Sequence, residues 1–396
     1  MKILHVLAQL PSKTGSGIYF STVVEQMANK GIENGLIYAN QAPFSWEFDA
    51  PYQYVVQFNT EELPFPIAGM SDEMPYKSTV YSQMSDVQLQ QWKTAFMRAL
   101  LDAKEKFAPD IVLCHHVFLL ANMVREVFPH VYCICHSTDI RQLKKHPRFF
   151  LHMPHAAKMD GYFACSHKDM AVLHEYFCMP APVIYLGGGF NPTLFYPEEK
   201  EQRTEIKIFY CGKISRAKGV WELAKAYGIA KKKHPQLSLS IVGNASPEQE
   251  EELRALAGFA EDLHIYGAKD QARMASCMRK HDIFILPSYY EGLGLVCVEA
   301  LASNLRVIAT EIEGLQSLLG DEINQSGMIE YVSLPRIYDV DKAVEEDKPA
   351  FVERLVQAID TQVARQSQDF DHLRPQIDRL SWKGLVNKML QAMGVE

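Results

Sequence analysis

Residues 2–31 read KILHVLAQLPSKTGSGIYFSTVVEQMANKG. The first seven form a short apolar run with β-branched members, which is how a buried strand reads. QLPSKTGSG is turn chemistry. Beyond it, apolar side chains recur at helical spacing and stop at Gly31. Strand, glycine loop and helix in that order open a parallel sheet covered by helices. Working outward, GLIYAN (35–40), DIVLCHH (110–116), HVYCICHS (130–137) and DGYFACS (160–166) supply further strands. LLANMVREVF and HKDMAVLHEYF lie between them with helical patterns. Residues 180–200 are dense in proline and hold a triple glycine, so no regular element is expected there. The pattern then restarts. IKIFYCG (206–212), LSLSIVG (237–243), LHIYG (263–267), DIFILPS (282–288) and LRVIAT (305–310) read as strands, with helices between them.

The chain is therefore expected to be α/β, with two tandem Rossmann-like, doubly wound domains facing a central cleft. The expected divisions are 1–188, a linker at 189–203, 204–375, and a terminal helix over 376–396 that crosses back to the first domain. Ligands of such sheets sit beyond the carboxyl ends of the strands. At 396 residues and 47% hydrophobic content, the chain can bury cores of this size. Lys plus Arg is 40 against 48 for Asp plus Glu, a net charge of −8, which argues against generic nucleic-acid binding. No apolar run approaches the ~20 residues of a membrane span, and Met1–Leu10 reads as a first strand rather than a signal peptide. Most of the eight cysteines lie in apolar runs, without a C-x-x-C pair, as free thiols of a reducing cytoplasm would.

The most informative stretch is LPSYYEGLGLVCVEALA, residues 286–302. A strand ends at Pro287, Glu291 precedes a Gly-x-Gly turn, and a helix follows with Glu299 in its first turns. Gly292, Leu293, Gly294, Leu295 and Val296 bring backbone N–H groups and a helix N-terminus to one place, which favours phosphate. A carboxylate amid VCV and ALA is costly to bury unpaired. Two carboxylates around an anion site suit a sugar nucleotide.

This stretch resembles the E-x7-E signature of the retaining glycosyltransferases of family 4, of the two-Rossmann GT-B fold, written EGFGLVxxEAxA. GKISRAKG (212–219) resembles the family's GRLxxEKG, CHSTDI resembles its strand-end histidine motif, and YLGGGFNPTLFYP echoes its linker. The resemblance implies a nucleotide-sugar donor, most simply a UDP-sugar, in the C-terminal domain. Lys213 and Lys218 would hold the diphosphate, Glu299 the ribose and Glu291 the sugar, with Gly212 and Gly243 at the donor loops. Lys213 stands where the family usually has Arg, which grips phosphate bidentately; Arg216 could compensate. His136 would contact the donor sugar. His115 and Asp139 lie beside it, and Gly15, Ser16 and Gly17 form a loop for the donor phosphate or the acceptor, although an ordinary helix entry reads equally well.

No cofactor is implied, since the nucleotide sugar is a substrate. No metal is expected either: His115, His116 and His136 have no carboxylate at ligand spacing, and Asp339-Val-Asp341 reads as a solvated turn. The acceptor, a sugar, glycolipid or small molecule, is not named by the sequence. Residues 41–92 mix aromatics, prolines and polar groups as a functional loop does. The basic, aromatic run at 141–168 could meet an anionic membrane surface, peripheral at its inner face, although charge runs usually face water. A nucleotide-sugar epimerase or phosphorylase, and a non-catalytic lectin-like module, are the alternatives, and the E-x7-E spacing counts against them.

Overall fold

The computed structural model describes residues 1–72, 74–155, 158–177, 181–199, 203–338 and 341–395. The chain divides into two units, Met1–Gly187 with Leu385–Glu396, and Gly188–Gly384.

Unit 1 is built on seven parallel strands: β1 (Lys2–Leu7), β2 (Glu33–Asn40), β3 (Tyr52–Gln57), β4 (Ile111–His115), β5 (Val131–Cys135), β6 (Gly161–Ala164) and β7 (Val183–Tyr185), in the order β3-β2-β1-β4-β5-β6-β7. Parallel strands buried on both faces need apolar residues on both, and β1 and β4 are apolar almost throughout. The helices α1 (Gly15–Ala28), α2 (Asp86–Lys106), α3 (Leu119–Val127), α4 (Thr138–Lys145) and α5 (His167–Phe177) cover the sheet. A capping box starts α2: Ser85 Oγ accepts from the Gln88 N–H while Gln88 Oε1 accepts from the Ser85 N–H. Its Trp92, Phe96 and Leu100 then turn into the core.

Three expectations for this unit are corrected. The proline-rich stretch 180–200 does hold a strand. Pro182 precedes β7, so its missing N–H costs the ladder nothing, and its carbonyl accepts from the Tyr162 N–H at 3.0 Å. Residues 41–92 are not a free loop. YQYVVQ forms β3 on the sheet edge, and Phe58, Leu63, Phe65, Ile67, Met70 and Tyr81 are buried in the unit's core. Prolines on either side hide this strand from a pattern search, but its Tyr and Val residues suit a pleated surface. In the basic run at 141–168, Phe149 is a core residue and Lys145 is paired with Asp72.

Unit 2 repeats the architecture with β8 (Ile206–Cys211), β9 (Leu237–Val242), β10 (Leu263–Tyr266), β11 (Ile283–Leu286), β12 (Arg306–Thr310) and β13 (Ile329–Val332), ordered β10-β9-β8-β11-β12-β13 and all parallel. Helices α6 (Val220–Lys233), α7 (Pro247–Leu256), α8 (Gln271–Arg279), α9 (Leu295–Ala302), α10 (Glu313–Asn324), α11 (Lys348–Ala364) and α12 (Arg374–Arg379) complete it. Asp339 of the D-x-D lies outside the described residues. The last helix, α13 (Trp382–Ala392), begins in unit 2, and from Leu385 onward the chain groups with unit 1. Among the described residues no helix is long and apolar enough to cross a membrane.

Candidate active site

In unit 2, β8 gives way to the loop GKISRAKG. Its last residue, Gly219, has φ +65, and an added Cβ would stand 2.1 Å from the carbonyl oxygen of Pro287, so only glycine fits. The Tyr289 N–H donates to the Ala217 carbonyl at 2.9 Å. These backbone contacts join the GKISRAKG loop to the end of β11, where the E-x7-E motif starts. Lys218 Nζ consequently reaches Glu291 Oε1 at 2.7 Å, and Ser288 Oγ donates to the same oxygen at 2.9 Å. Ser288 is itself held, its carbonyl accepting from Thr310 Oγ1 at 2.6 Å.

Gly294, at φ +59, is the N-cap of α9 and offers the helix start no side-chain cap. Leu295 and Val296 are half-buried in the first turn, Leu293 is half-buried before it, and Gly292 is exposed. Such a helix start presents N–H groups to an anion. Further along α9, burial pushes the Glu299 carboxyl up to about 7, against a hydrogen bond with Gln271 that pulls it down. Gly243 lies against Gly212, an added Cβ standing 2.3 Å from the Gly212 carbonyl oxygen. Lys213 is exposed, and its ammonium has no ion-pair partner among the described residues. The guanidinium of Arg216 is engaged, lying 4.1 Å from the centroid of the Trp221 ring and 2.6 Å from Glu252 Oε1. Unit 2 thus brings Lys218 and Glu291 into contact, while Arg216 makes its contacts elsewhere.

In unit 1, the sequence-expected residues gather at the carboxyl ends of β1, β4 and β5. Thr14 caps α1 by accepting from the Gly17 N–H, and Ser16 Oγ donates to Gln9 Oε1 at 3.2 Å. Gly17 is packed against the Leu10 carbonyl, whereas Gly15 has open space around it. His136 Nε2 stands 3.3 Å from His115 Nδ1 with the rings stacked, and the His116 ring is 4.9 Å away, centroid to centroid. Burial depresses all three imidazoles, His116 to about 3 and the other two well below 6.5, so they are neutral at pH 7. Asp139 is expected on the ligand loop, but its carboxylate is fully buried. One oxygen accepts from the Val117 N–H at 2.8 Å, the other from the His136 N–H at 3.2 Å and the Cys135 thiol at 3.3 Å. Among the described residues no group of three or more His, Cys, Asp or Glu could hold a metal ion.

Sequence reading missed Ser288, Gln271 and Asp169. Ser288 follows a strand directly, a position where polar side chains merit attention. Gln271 reaches Glu299 only through the fold, and Asp169 bonds the nearby Ser166 but reaches Ser137 only through the fold.

Residues 195–332 match the family model described as glycosyl transferases group 1. A D-inositol 3-phosphate glycosyltransferase of Paenarthrobacter aurescens is 33% identical over 119 residues, 29% of this chain and 29% of that protein. Across the first three such relatives the likeness spans 29% to 38% of their own length. Among solved structures, sucrose-phosphate synthase from Thermosynechococcus elongatus superposes with TM-score 0.62 at 19% identity, covering 99% of this chain and 98% of that one. UDP-GlcNAc 2-epimerase from Neisseria meningitidis does so with TM-score 0.58 at 14% identity, covering 100% of each. Identities this low establish the fold alone. Over residues 195–332 this chain matches the glycosyl transferases group 1 model, and the chain as a whole has the GT-B fold.

Proposed function

We propose that the protein is a retaining glycosyltransferase that moves a sugar from a nucleotide donor, a UDP-sugar, to a hydroxyl acceptor. The observation that carries this reading is the contact of Glu291 with both Lys218 and Ser288 beside the uncapped start of α9, inside the stretch that matches the group 1 model. The donor diphosphate would lie on Lys213, Lys218 and the N–H groups following Gly294. Glu299 would accept from the ribose hydroxyls, and Glu291 would hold the sugar. As the bond from C1 to the phosphate oxygen stretches, negative charge collects on the diphosphate, where cations and backbone dipoles already point. The acceptor oxygen then bonds to C1, and its proton passes to the departing phosphate oxygen, so no protein nucleophile is needed. His136 of unit 1 is assigned to the transfer step by resemblance.

A thermal-shift panel of nucleoside diphosphates and nucleotide sugars tests the donor. A ligand at a hundred times its dissociation constant adds ~2.7 kcal/mol of stability, and a panel with no shift would refute donor binding. Turnover is expected to persist in excess EDTA, because the lysines supply the charge a metal would. A rate that collapses with EDTA and returns with magnesium would refute that and bring Asp341 into the reaction. The epimerase architecture is shared, so donor incubated without acceptor is the deciding control: a transferase leaves the sugar's stereochemistry unchanged. The proposed location is cytoplasmic. Arg141, Lys158 and Leu151 are exposed groups within 141–168 that would make a peripheral membrane contact. Sedimentation with anionic against neutral vesicles tests that contact.

A further inference from the structure

We infer that Asp139, with Asp169 beside it, is a positioning residue: it fixes the two strand-end turns from which His115, His116 and His136 project, and touches no substrate. The inference rests on the glycosyl-transfer reading for the role of His136, and on unit 1 alone for its geometry.

Two turns leave the sheet here, and each contains a non-glycine residue in the left-handed region, His116 at φ +77 and Ser137 at φ +66. Such backbones are held by their surroundings and concentrate at functional sites. Asp139 supplies the hold at both. Its carboxylate accepts the N–H of Val117, the residue after His116, and the N–H of His136, the residue before Ser137. One buried side chain therefore ties the end of β4 to the end of β5 at the two places where the chain is strained. The Cys135 thiol takes up further acceptor capacity of the same carboxylate, so little is left for a ligand.

Asp169 repeats the arrangement one strand further along. It is 5% exposed, and its Oδ2 accepts from Ser137 Oγ at 2.5 Å and from Ser166 Oγ at 2.7 Å. The strained Ser137 is thus tethered through its side chain while its neighbour His136 is tethered through its backbone. Neither carboxylate has a cation partner among the described residues; both are satisfied by N–H, O–H and S–H donors. A buried carboxylate without a counter-ion is costly, and here the strained turns and the imidazole cluster depend on it.

The test compares Asp139→Asn, Ser137→Gly, His136→Ala and the double variant Asp139→Asn/His136→Ala in the full chain. Asparagine keeps one acceptor but turns an NH2 toward protein N–H or S–H donors. Glycine adopts the left-handed backbone freely but cannot reach Asp169. Asp139→Asn should lower kcat ~10–100-fold, the scale of a displaced reacting group, while UDP affinity by calorimetry, a property of unit 2, changes less than about twofold. His136→Ala should cost its full factor in the native background and less than about threefold more on top of Asp139→Asn. Ser137→Gly should lower kcat by a smaller factor, about 3–10-fold, and it decides the matter if Asp139→Asn does not fold. The His136 ring resonance, identified by its loss in His136→Ala, should shift in Asp139→Asn and Ser137→Gly, whatever the activity. Additive losses, or an unmoved ring resonance, overturn the positioning role. A silent His136→Ala also overturns it, while UDP binding then leaves the donor reading standing; failure to bind UDP defeats that reading and leaves the resonance to judge the geometry.

Discussion

Lys218 and Glu291 already satisfy one another at 2.7 Å, so a diphosphate that recruits Lys218 must share it with a carboxylate, whereas Lys213 has no such rival. Under the proposed function Lys213 would therefore be the cation whose charge meets the growing charge on the leaving group. Lys213→Ala should lower kcat by ~10²–10³ in single-turnover transfer, and Lys213→Arg should retain the rate. Arg216→Ala should change it less than about threefold, because that guanidinium serves Trp221 and Glu252; a large loss would place Arg216 on the phosphates. Glu299 adds a pH signature. Its carboxyl is raised from 4.5 to about 7 by burial, so the folded protein binds its proton more tightly than the unfolded chain does. Stability from this group is present at low pH and is lost as pH rises from 4.5 to about 7. Under the proposed function donor binding runs the opposite way, since ribose hydroxyls would donate to the ionised form. Nucleotide affinity measured by calorimetry should weaken as pH falls through about 7, and Glu299→Gln should retain only the ligand's own titration. At this scale the sequence was informative where chemistry is carried by spacing, as in Glu291 and Glu299. It was silent on Gln271, which meets Glu299 only through tertiary structure, and on Ser288, whose hydroxyl bonds Glu291 three residues along, and it located Asp139 without disclosing that its oxygens face inward.

The GKISRAKG loop and the start of α9 are separate elements that the backbone makes into one. Gly219 approaches Pro287 so closely that a single methyl group must part them, and its φ of +65 adds strain for any other residue. Gly219→Ala should cost about 2 kcal/mol or more in denaturant unfolding, and should weaken nucleotide binding through the displaced Lys218. An unfolding curve indistinguishable from the native one would mean the two loops move independently. The same dependence on neighbours explains which elements were legible. β8, β9, β11 and β12 are short apolar runs that need no context to be read. β3 and β7 sit at the two edges of their sheet, flanked by prolines, where a strand has only one neighbour to satisfy and the local signal for a loop prevails.

Over the whole molecule, the repetition of strand and helix made two Rossmann-like halves readable, whereas the exact path of the chain was settled by side chains far apart in sequence. Unit 1 is discontinuous, taking its last piece from Leu385 onward. Leu385, Val386, Met389 and Leu390 are all buried on α13. Each such side chain is worth about 1.5–3 kcal/mol when removed from water. Ending the chain at Gly384 should therefore lower the melting temperature of the unit 1 transition far more than that of unit 2, as read by calorimetry. Equal shifts would mean the helix supports both units alike. The discontinuity also imposes a schedule on synthesis. When Gly187 has been made, the sheet of unit 1 is complete in sequence but its closing helix does not yet exist, and about 200 residues of unit 2 must be translated first. At ~5–20 residues per second that interval lasts about 10–40 s. For that time the nascent first unit lacks the helix whose Leu385, Val386, Met389 and Leu390 are buried in the finished chain, and the apolar surface they would meet is open to solvent.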